Sequence, residues 1–356
     1  MSRERARATA GLRATLERTA HRASLIEEYL SGQAAEILKN RSPSEGEGAS
    51  YYELPAIKKP TWEWYVPAYL FVGGVSSGAY VTATLADIVG TDEDRPVVRA
   101  GRIVALAGMM LSPALLIADL GRPGRFLNML RVFKLRSIMN LGSWALAVFG
   151  LFTGLAVAVE AATTLGGRLP PMRLLVTPFR VLSWLGLFPA MFVGSYTGLL
   201  LSTTNVPLWA RNRLLLGPLF FSSAMSTGLA ASTLGASLFG WNRRHGRARF
   251  GRAQDVMLVA ELGLTAASAL QLRGLARPLA RRPGAIVHQL GVLILGLLLP
   301  IALGGPARRS ARVGTLRSAL VLLGGALMRF AVVEAGKASA DDPHAYFGYT
   351  SSRRAP

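Results

Sequence analysis

The sequence predicts an all-α polytopic membrane protein, an eight-transmembrane-helix bundle with a polar N-terminal extension. Three observations carry that prediction. Of the 356 residues 51% are hydrophobic and only 17% are charged, with a mean hydropathy of +0.34, a balance that soluble domains do not keep. From residue 65 onward the apolar residues gather into eight runs, each long enough for the ~20 residues a helix needs to cross a hydrocarbon core. The connections between runs are short and carry most of the charge, so consecutive helices should pack antiparallel.

Residues 1–60 stand apart as a polar arm and linker. Residues 1–22 carry six Arg against two Glu, and residues 23–50 turn acidic, with five Glu against Lys39 and Arg41. Leu12, Leu16, Leu25, Ile26, Tyr29 and Leu30 suggest one or two short amphipathic helices. The Ser/Glu/Gly-rich segment 42–50 reads as a linker. No apolar stretch follows the basic start and no twin arginine occurs, so the arm does not read as a secretory signal. It serves either as a tail without specific role or as a docking arm.

The eight runs lie at about 65–89, 98–119, 138–162, 174–202, 213–239, 251–272, 285–305 and 313–336, within a membrane domain spanning 61–337, and 338–356 form a C-terminal tail. Gly74-x-x-x-Gly78 and Gly150-x-x-x-Gly154 offer small-residue faces for close helix contact. An even number of spans puts both termini on one side. Basic residues divide almost equally between the two sides, so charge bias gives no orientation. The long polar arm leans the termini towards the cytoplasm, in a cell (inner or plasma) membrane.

The formal charge of +20 raises nucleic acid as a partner, but the arginines fall between apolar runs instead of on a polar face. That placement suits lipid head groups. The chain has no cysteine, which excludes disulfides, thiolate-held iron–sulfur clusters and covalently attached c-type haem. Of the four histidines only His288 lies inside an apolar run, so two membrane helices cannot supply a bis-histidine haem. Any redox group must come from a partner or a diffusible molecule.

Asp119-Leu120-Gly121-Arg122-Pro123-Gly124-Arg125-Phe126-Leu127-Asn128 closes the second run with a carboxylate, two guanidiniums, an amide and a Pro-Gly turn. One reading is a helix stop with snorkelling arginines. The other is a polar site for a membrane-soluble ligand. On the same side lie Glu63, Tyr65 and Tyr69 of run one, Tyr196 of run four, and Arg329 and Glu334 of run eight. A phenol or carboxyl there can hydrogen-bond a quinone carbonyl and relay its proton. Trp62, Trp64 and Phe71 suit a flat apolar ring, although Trp62 also fits an interfacial aromatic belt, as Trp64 can. Glu261 mid-run six, with His288 and Gln289 early in run seven, forms either structural pairs with arginine or helix carbonyls or a proton path. Asp87 and Glu160 sit near the opposite face.

With these residues in view, the chain resembles the NrfD/PsrC family of polysulfide-reductase-like membrane subunits. The likeness rests on Trp62 to Gly78, a W-x-W entry into a glycine-rich span, and on Asp119 to Asn128 with Ser143-Trp144. It continues in Gly194-Ser195-Tyr196-Thr197-Gly198 through Ser202, closing on Val206-Pro207-Leu208-Trp209, and in Arg329 to Gly336. It extends over 60–337 in the same helix order. The resemblance implies a quinone-reacting integral subunit of a respiratory oxidoreductase complex, using menaquinone or another quinone. It implies as partners a ferredoxin-like iron–sulfur subunit with cubane clusters, which serves a molybdopterin-type or other catalytic subunit. By position, Tyr196 matches a family tyrosine that touches the quinone. Tyr69 stands where another member has histidine and Val66 where that member has an amide. Asp119 and Arg122 belong to a motif shared by many members.

The expected quinone-binding set is therefore Tyr69, Tyr196, Asp119, Arg122, Glu63 and Trp64. Proton transfer falls to Asp119, Glu261, Glu334 and His288, partner docking to Arg125, Asn128 and Arg131, and no residue to a metal. A secondary transporter or ion channel is the alternative. It would show internal duplication and matched interrupted helices, and the runs show neither. A pure membrane anchor is a further alternative.

Overall fold

The computed structural model describes residues 57, 60–165, 170–238, 244–272 and 290–341. These residues are helical almost throughout, with no β-strand among them. The principal helices are α1 (Tyr65–Val89), α2 (Arg95–Ala118), α3 (Ile138–Leu165), α4 (Pro170–Trp184), α5 (Leu187–Ser202), α6 (Arg213–Leu238), α7 (Arg244–Gln271) and α8 (Ala311–Ala340). Seven stretches among them are long and apolar enough to cross a membrane, with α4 and α5 together making one. The seventh predicted run begins outside the described residues. Its described part, from 290, is a π-helical segment Val292–Leu298 followed by short helices Leu299–Ala302 and Gly304–Arg309. The chain is a polytopic all-helical membrane protein.

Small residues set the centre of the bundle. α1 and α6 have 72% and 67% of their apolar windows buried, against 33% for α2 and α3 and 22% for α7. Both inner helices carry runs of Gly, Ala, Ser and Thr, which let backbones approach where larger side chains would hold them apart. A methyl group at Gly78 would strike the Ala224 carbonyl, and one at Gly228 would strike the backbone of Gly78 and Ala79. Several hydroxyls of this seam are satisfied within their own helix. Thr82 donates to Gly78 O, Thr227 to Ser223 O and Ser232 to Gly228 O, each four residues back.

The two glycine pairs noted in the sequence behave differently. Gly78 serves the α1–α6 crossing, and Gly74 makes room for the guanidinium of Arg329. Gly150 meets only the Met109 side chain at ordinary contact distance, and Gly154 faces open space. A second close approach that spacing did not announce joins Gly296 of the π-helical segment to Gly324 of α8.

The fourth run reads as one helix in sequence but breaks between α4 and α5. Pro189 has no N–H to give the Leu185 carbonyl, and the chain tightens one turn earlier, with Leu185 and Gly186 donating to Leu182 and Ser183 at 3.1 Å. The Tyr80 hydroxyl fills the irregularity by donating to Ser183 O at 2.5 Å, and any side chain at 186 would collide with it. Helix interruptions thus fall in the fourth and seventh runs, which are not corresponding positions of two halves.

α2 ends as a helix stop requires. Asp119 caps it, Leu120 N–H turns back to Ile117 O at 3.1 Å, and Gly121 adopts φ 63°, a left-handed conformation that glycine accepts without cost. Pro123 then prevents continuation. At the end of the bundle away from this turn, charges are paired across helices. Asp87 of α1 accepts from Arg95 and Arg102 of α2 at 2.6 and 2.8 Å, and from the Trp184 indole at 3.2 Å. Glu160 of α3 accepts from Arg99 and Arg102 at 2.8 and 2.5 Å. Asp255 of α7 holds Arg308 and Arg317.

Candidate functional site

Two pairs of the residues expected to form a site lie within electrostatic reach of each other, Tyr69 of α1 with Tyr196 of α5, and Asp119 at the end of α2 with Glu63 before α1. Tyr69 lies on the second turn of α1 with 4% of its surface exposed, its ring beside Gly73, where Ser112 of α2 also approaches. Its hydroxyl makes no hydrogen bond with any described residue. Tyr196 of α5 is equally buried but engaged, since its hydroxyl donates to Ile138 O at 2.8 Å and ties α5 to α3. Gly142 admits this, because a side chain there would overlap the Tyr196 ring, which also stacks on Phe192 at 5.6 Å. The two phenols lie within electrostatic reach of each other.

Asp119 is half-buried and has no ion-pair partner among the described residues. Burial, with the nearby Glu63 carboxylate adding repulsion, raises its pKa above the ordinary aspartate value. The neutral form is thereby favoured in the fold. The stability it contributes is complete below the ordinary value of about 3.9 and is lost as pH rises through the raised folded value. Glu63→Gln should move the Asp119 midpoint to lower pH while burial keeps it above ordinary aspartate. An infrared pH titration of the protonated carboxyl checks this, and an unmoved midpoint would exclude Glu63 as a cause.

Arg329 of α8 lies behind Tyr69 and is fully buried. Its Nε donates to Leu70 O at 3.0 Å, and Nη1 donates to Ser223 Oγ at 3.0 Å and to Gly325 O at 2.8 Å. The guanidinium carbon sits 5.7 and 5.6 Å from the ring centres of Phe71 and Phe220. Glu261 of α7 is within its electrostatic reach and accepts from Ser226 Oγ at 2.9 Å, with Ser223 nearby. Gln254 donates to Ser226 O at 3.4 Å and lines a cavity between α6, α7 and α8 at the far end of the bundle. Polar groups therefore run from that cavity through Gln254, Ser226, Glu261 and Ser223 to Arg329, next to the backbone of Tyr69.

Other expected residues are placed elsewhere. Glu334 is exposed and paired with Lys337 at 2.7 Å, a solvated i,i+3 ion pair. Trp64 is 57% exposed and lies on Tyr65, whereas Trp62 stacks on the buried Trp209 at 5.4 Å and so packs against protein rather than forming a belt. Arg122, Arg125, Asn128 and Arg131 are exposed along the turn after α2. His288 and Gln289 lie outside the described residues.

Contacts among these elements join stretches far apart in sequence. Trp209 donates its indole N–H to Val332 O at 2.9 Å and occupies the space left by Gly336, while Arg329 reaches back to Leu70 and Gly74. All of these stretches lie within residues 55–340, which the model of the family described as polysulphide reductase, NrfD, matches. The chain belongs to the NrfD family. It is similar to the C subunit of polysulfide reductase from Wolinella succinogenes, 27% identical over 311 residues, which cover 78% of this chain and 94% of that protein. Protein NrfD of Escherichia coli is 26% identical over 303 residues, covering 78% and 95%. The NrfD homolog of Haemophilus influenzae is 27% identical over 267 residues, covering 67% and 82%.

Within this NrfD-family protein, Arg329 is the buried polar residue that sequence reasoning undervalued. An arginine deep in an apolar run was a signal in itself. Its importance lies in bonds to α1 and α6, which only the packed bundle reveals. Among the described residues no cluster of His, Asp and Glu is arranged to hold a metal ion.

Proposed function

We propose that this chain is the quinone-reacting membrane subunit of a respiratory oxidoreductase complex, with the quinone ring held near Tyr69 and Asp119. The observation that carries the reading is the pair of unengaged polar groups there. Tyr69 has a hydroxyl without a hydrogen-bond partner among the described residues, and Asp119 has a carboxyl with no ion-pair partner among them. A phenol on a buried side chain with its hydroxyl left free is open to an acceptor. It fits a carbonyl or hydroxyl on a flat apolar ligand.

A quinol bound there supplies two electrons and two protons. The protein's own residues orient the ring and move the protons. Tyr69 donates a hydrogen bond to a ring oxygen, and Asp119, with its raised pKa, accepts and releases a proton near the surface. Tyr196 holds α3 against α5 and presents its ring and oxygen lone pairs, its proton being committed to Ile138 O. Glu63 and Arg122 set the electrostatics of the entrance. Glu261, through Ser226 and Gln254, is the candidate for proton exchange with the far side. With no cysteine in the chain, the electrons pass to an iron–sulfur partner of ferredoxin type that serves a molybdopterin-type or other catalytic subunit. Arg125, Asn128 and Arg131 supply part of its docking surface. We place the protein in the cell membrane with its termini on the cytoplasmic side.

Quinol oxidation by the purified complex tests the assignment. Tyr69→Phe and Asp119→Asn should each lower turnover about tenfold or more, the low end of what a positioned donor or proton acceptor contributes. Tyr196→Phe should cost about 1 kcal/mol of stability with a smaller effect on rate, since it frees one backbone carbonyl. Unchanged rates and quinone affinity in the Tyr69 and Asp119 variants would remove the site from this surface. Solute or ion flux through proteoliposomes of this protein alone would favour a transporter instead.

A further inference from the structure

At the end of the bundle opposite Tyr69, the charge pairs joining α1 to α4 do not balance. Two carboxylates, Asp87 and Glu160, face four guanidiniums, those of Arg95, Arg99, Arg102 and Arg180. Arg102 is 2% exposed and satisfies both acids, so it forms the buried keystone. The other three are peripheral, with side chains 32%, 52% and 25% exposed for Arg95, Arg99 and Arg180.

Their hydrogen bonding is incomplete. Arg95 engages Asp87 through Nη1 alone, and Arg99 engages Glu160 through Nε alone. Arg180 stands 3.6 Å from Asp87 through its buried Nε, and its terminal nitrogens bond to no described residue. Asp92 and Glu93 are exposed in the turn before α2, and Asp94 of that turn is paired with Arg249.

Below the arginines the surface is apolar. Arg95, Arg99 and Ile103 follow one another at four-residue intervals on a single face of α2, which continues towards Met110 and Leu111. Ile103, Met110 and Leu111 are 51%, 72% and 49% exposed. On α4, Phe179, Val181 and Leu182 flank Arg180 with 44%, 48% and 42% exposure. Surplus guanidinium donors at a helix end, above an outward apolar stripe, have the two-part chemistry of an anionic phospholipid.

We propose that Arg95, Arg99 and Arg180 bind the phosphodiester of an anionic phospholipid, with its acyl chain lying along Ile103 and Met110 of α2. The site is independent of the quinone reading. It seats a lipid where α1 to α4 are pinned together, so the lipid adds to the stability of that half of the bundle.

The test is native mass spectrometry of the full-length protein in detergent, titrated with phosphatidylglycerol or phosphatidylcholine. The wild type should hold phosphatidylglycerol more tightly than phosphatidylcholine. Arg99→Gln should weaken it about fivefold, and Arg95→Gln/Arg99→Gln more, as expected for basic residues at an anionic surface. Both variants keep Arg102 on both acids, so folding is retained, and the lipid-free melting temperature reports it. Arg312→Gln, an exposed arginine at the start of α8, should leave binding unchanged. Equal binding of the two lipids, full phosphatidylglycerol binding by the double variant, or an equal loss in Arg312→Gln would each overturn the proposal. Displacement of the lipid by inorganic phosphate at similar concentration would also overturn it, by making this an aqueous anion site.

Discussion

Replacing Arg329 with methionine should lower stability by about 3–5 kcal/mol and suppress quinol turnover by about a hundredfold or more, the largest combined loss for any single side chain here. The reason is geometric. One guanidinium serves Leu70 O on α1, Ser223 on α6 and Gly325 O on α8, and lies within electrostatic reach of Glu261 on α7. Methionine fills similar volume but leaves the Leu70 carbonyl and the Ser223 hydroxyl without that donor and Glu261 without a cation. Leu70 adjoins Tyr69, so the loss also loosens the backbone that aims the free phenol.

Arg329→Lys should recover little, because an ammonium cannot span the fork between Leu70 O and Ser223 Oγ. Adding Glu261→Gln to Arg329→Met should restore part of the stability but little of the activity, a non-additivity expected of groups in one network. Thermal unfolding in detergent together with quinol oxidation by the complex measures both. A lysine variant with wild-type melting temperature and rate would show that charge alone matters and that the fork does not.

Gly228→Leu should prevent a stable bundle from forming, and Gly228→Ala should already destabilise by about 1–3 kcal/mol or more through overpacking. At this crossing α6 lies backbone to backbone on α1, and a methyl would meet Gly78 and Ala79 rather than a side chain able to turn away. Separating the helices would also draw Ser223 away from the Leu70 carbonyl with which it shares Arg329. Gly154→Ala is the control, since Gly154 is a membrane-helix glycine with open space around it. It should be neutral or stabilising by up to about 1 kcal/mol through helix propensity. Yield after size-exclusion chromatography and melting temperature separate the two. Equal tolerance at both positions would mean that α1 and α6 do not touch as described.

Both predictions mark where sequence reasoning reached its limit. Gly74-x-x-x-Gly78 and Gly150-x-x-x-Gly154 look alike as patterns, yet one pair lies at the centre of the bundle and the other does not bring helices together. Tyr69 and Tyr196 look alike as candidates, but Tyr196 spends its proton on Ile138 O while Tyr69 keeps its own. Glu334 and Glu261 are both acids within apolar runs. One is an exposed partner of Lys337 and the other is buried against serines. Each distinction depends on contacts between residues remote in the chain.

The amino-acid sequence by itself determined the membrane class, the limits of most helices, the helix stop after Asp119, and the lack of any thiolate to hold an iron–sulfur cluster. These follow from hydropathy, from backbone preferences and from the absence of cysteine, all of which act locally or by composition. The tertiary structure alone decided that α1 and α6 form the core, that Arg329 ties Tyr69's helix to its neighbours, and that surplus arginines gather opposite. Helix packing in a bilayer turns on close steric fit and on which polar groups find partners. Neither is set until the helices meet.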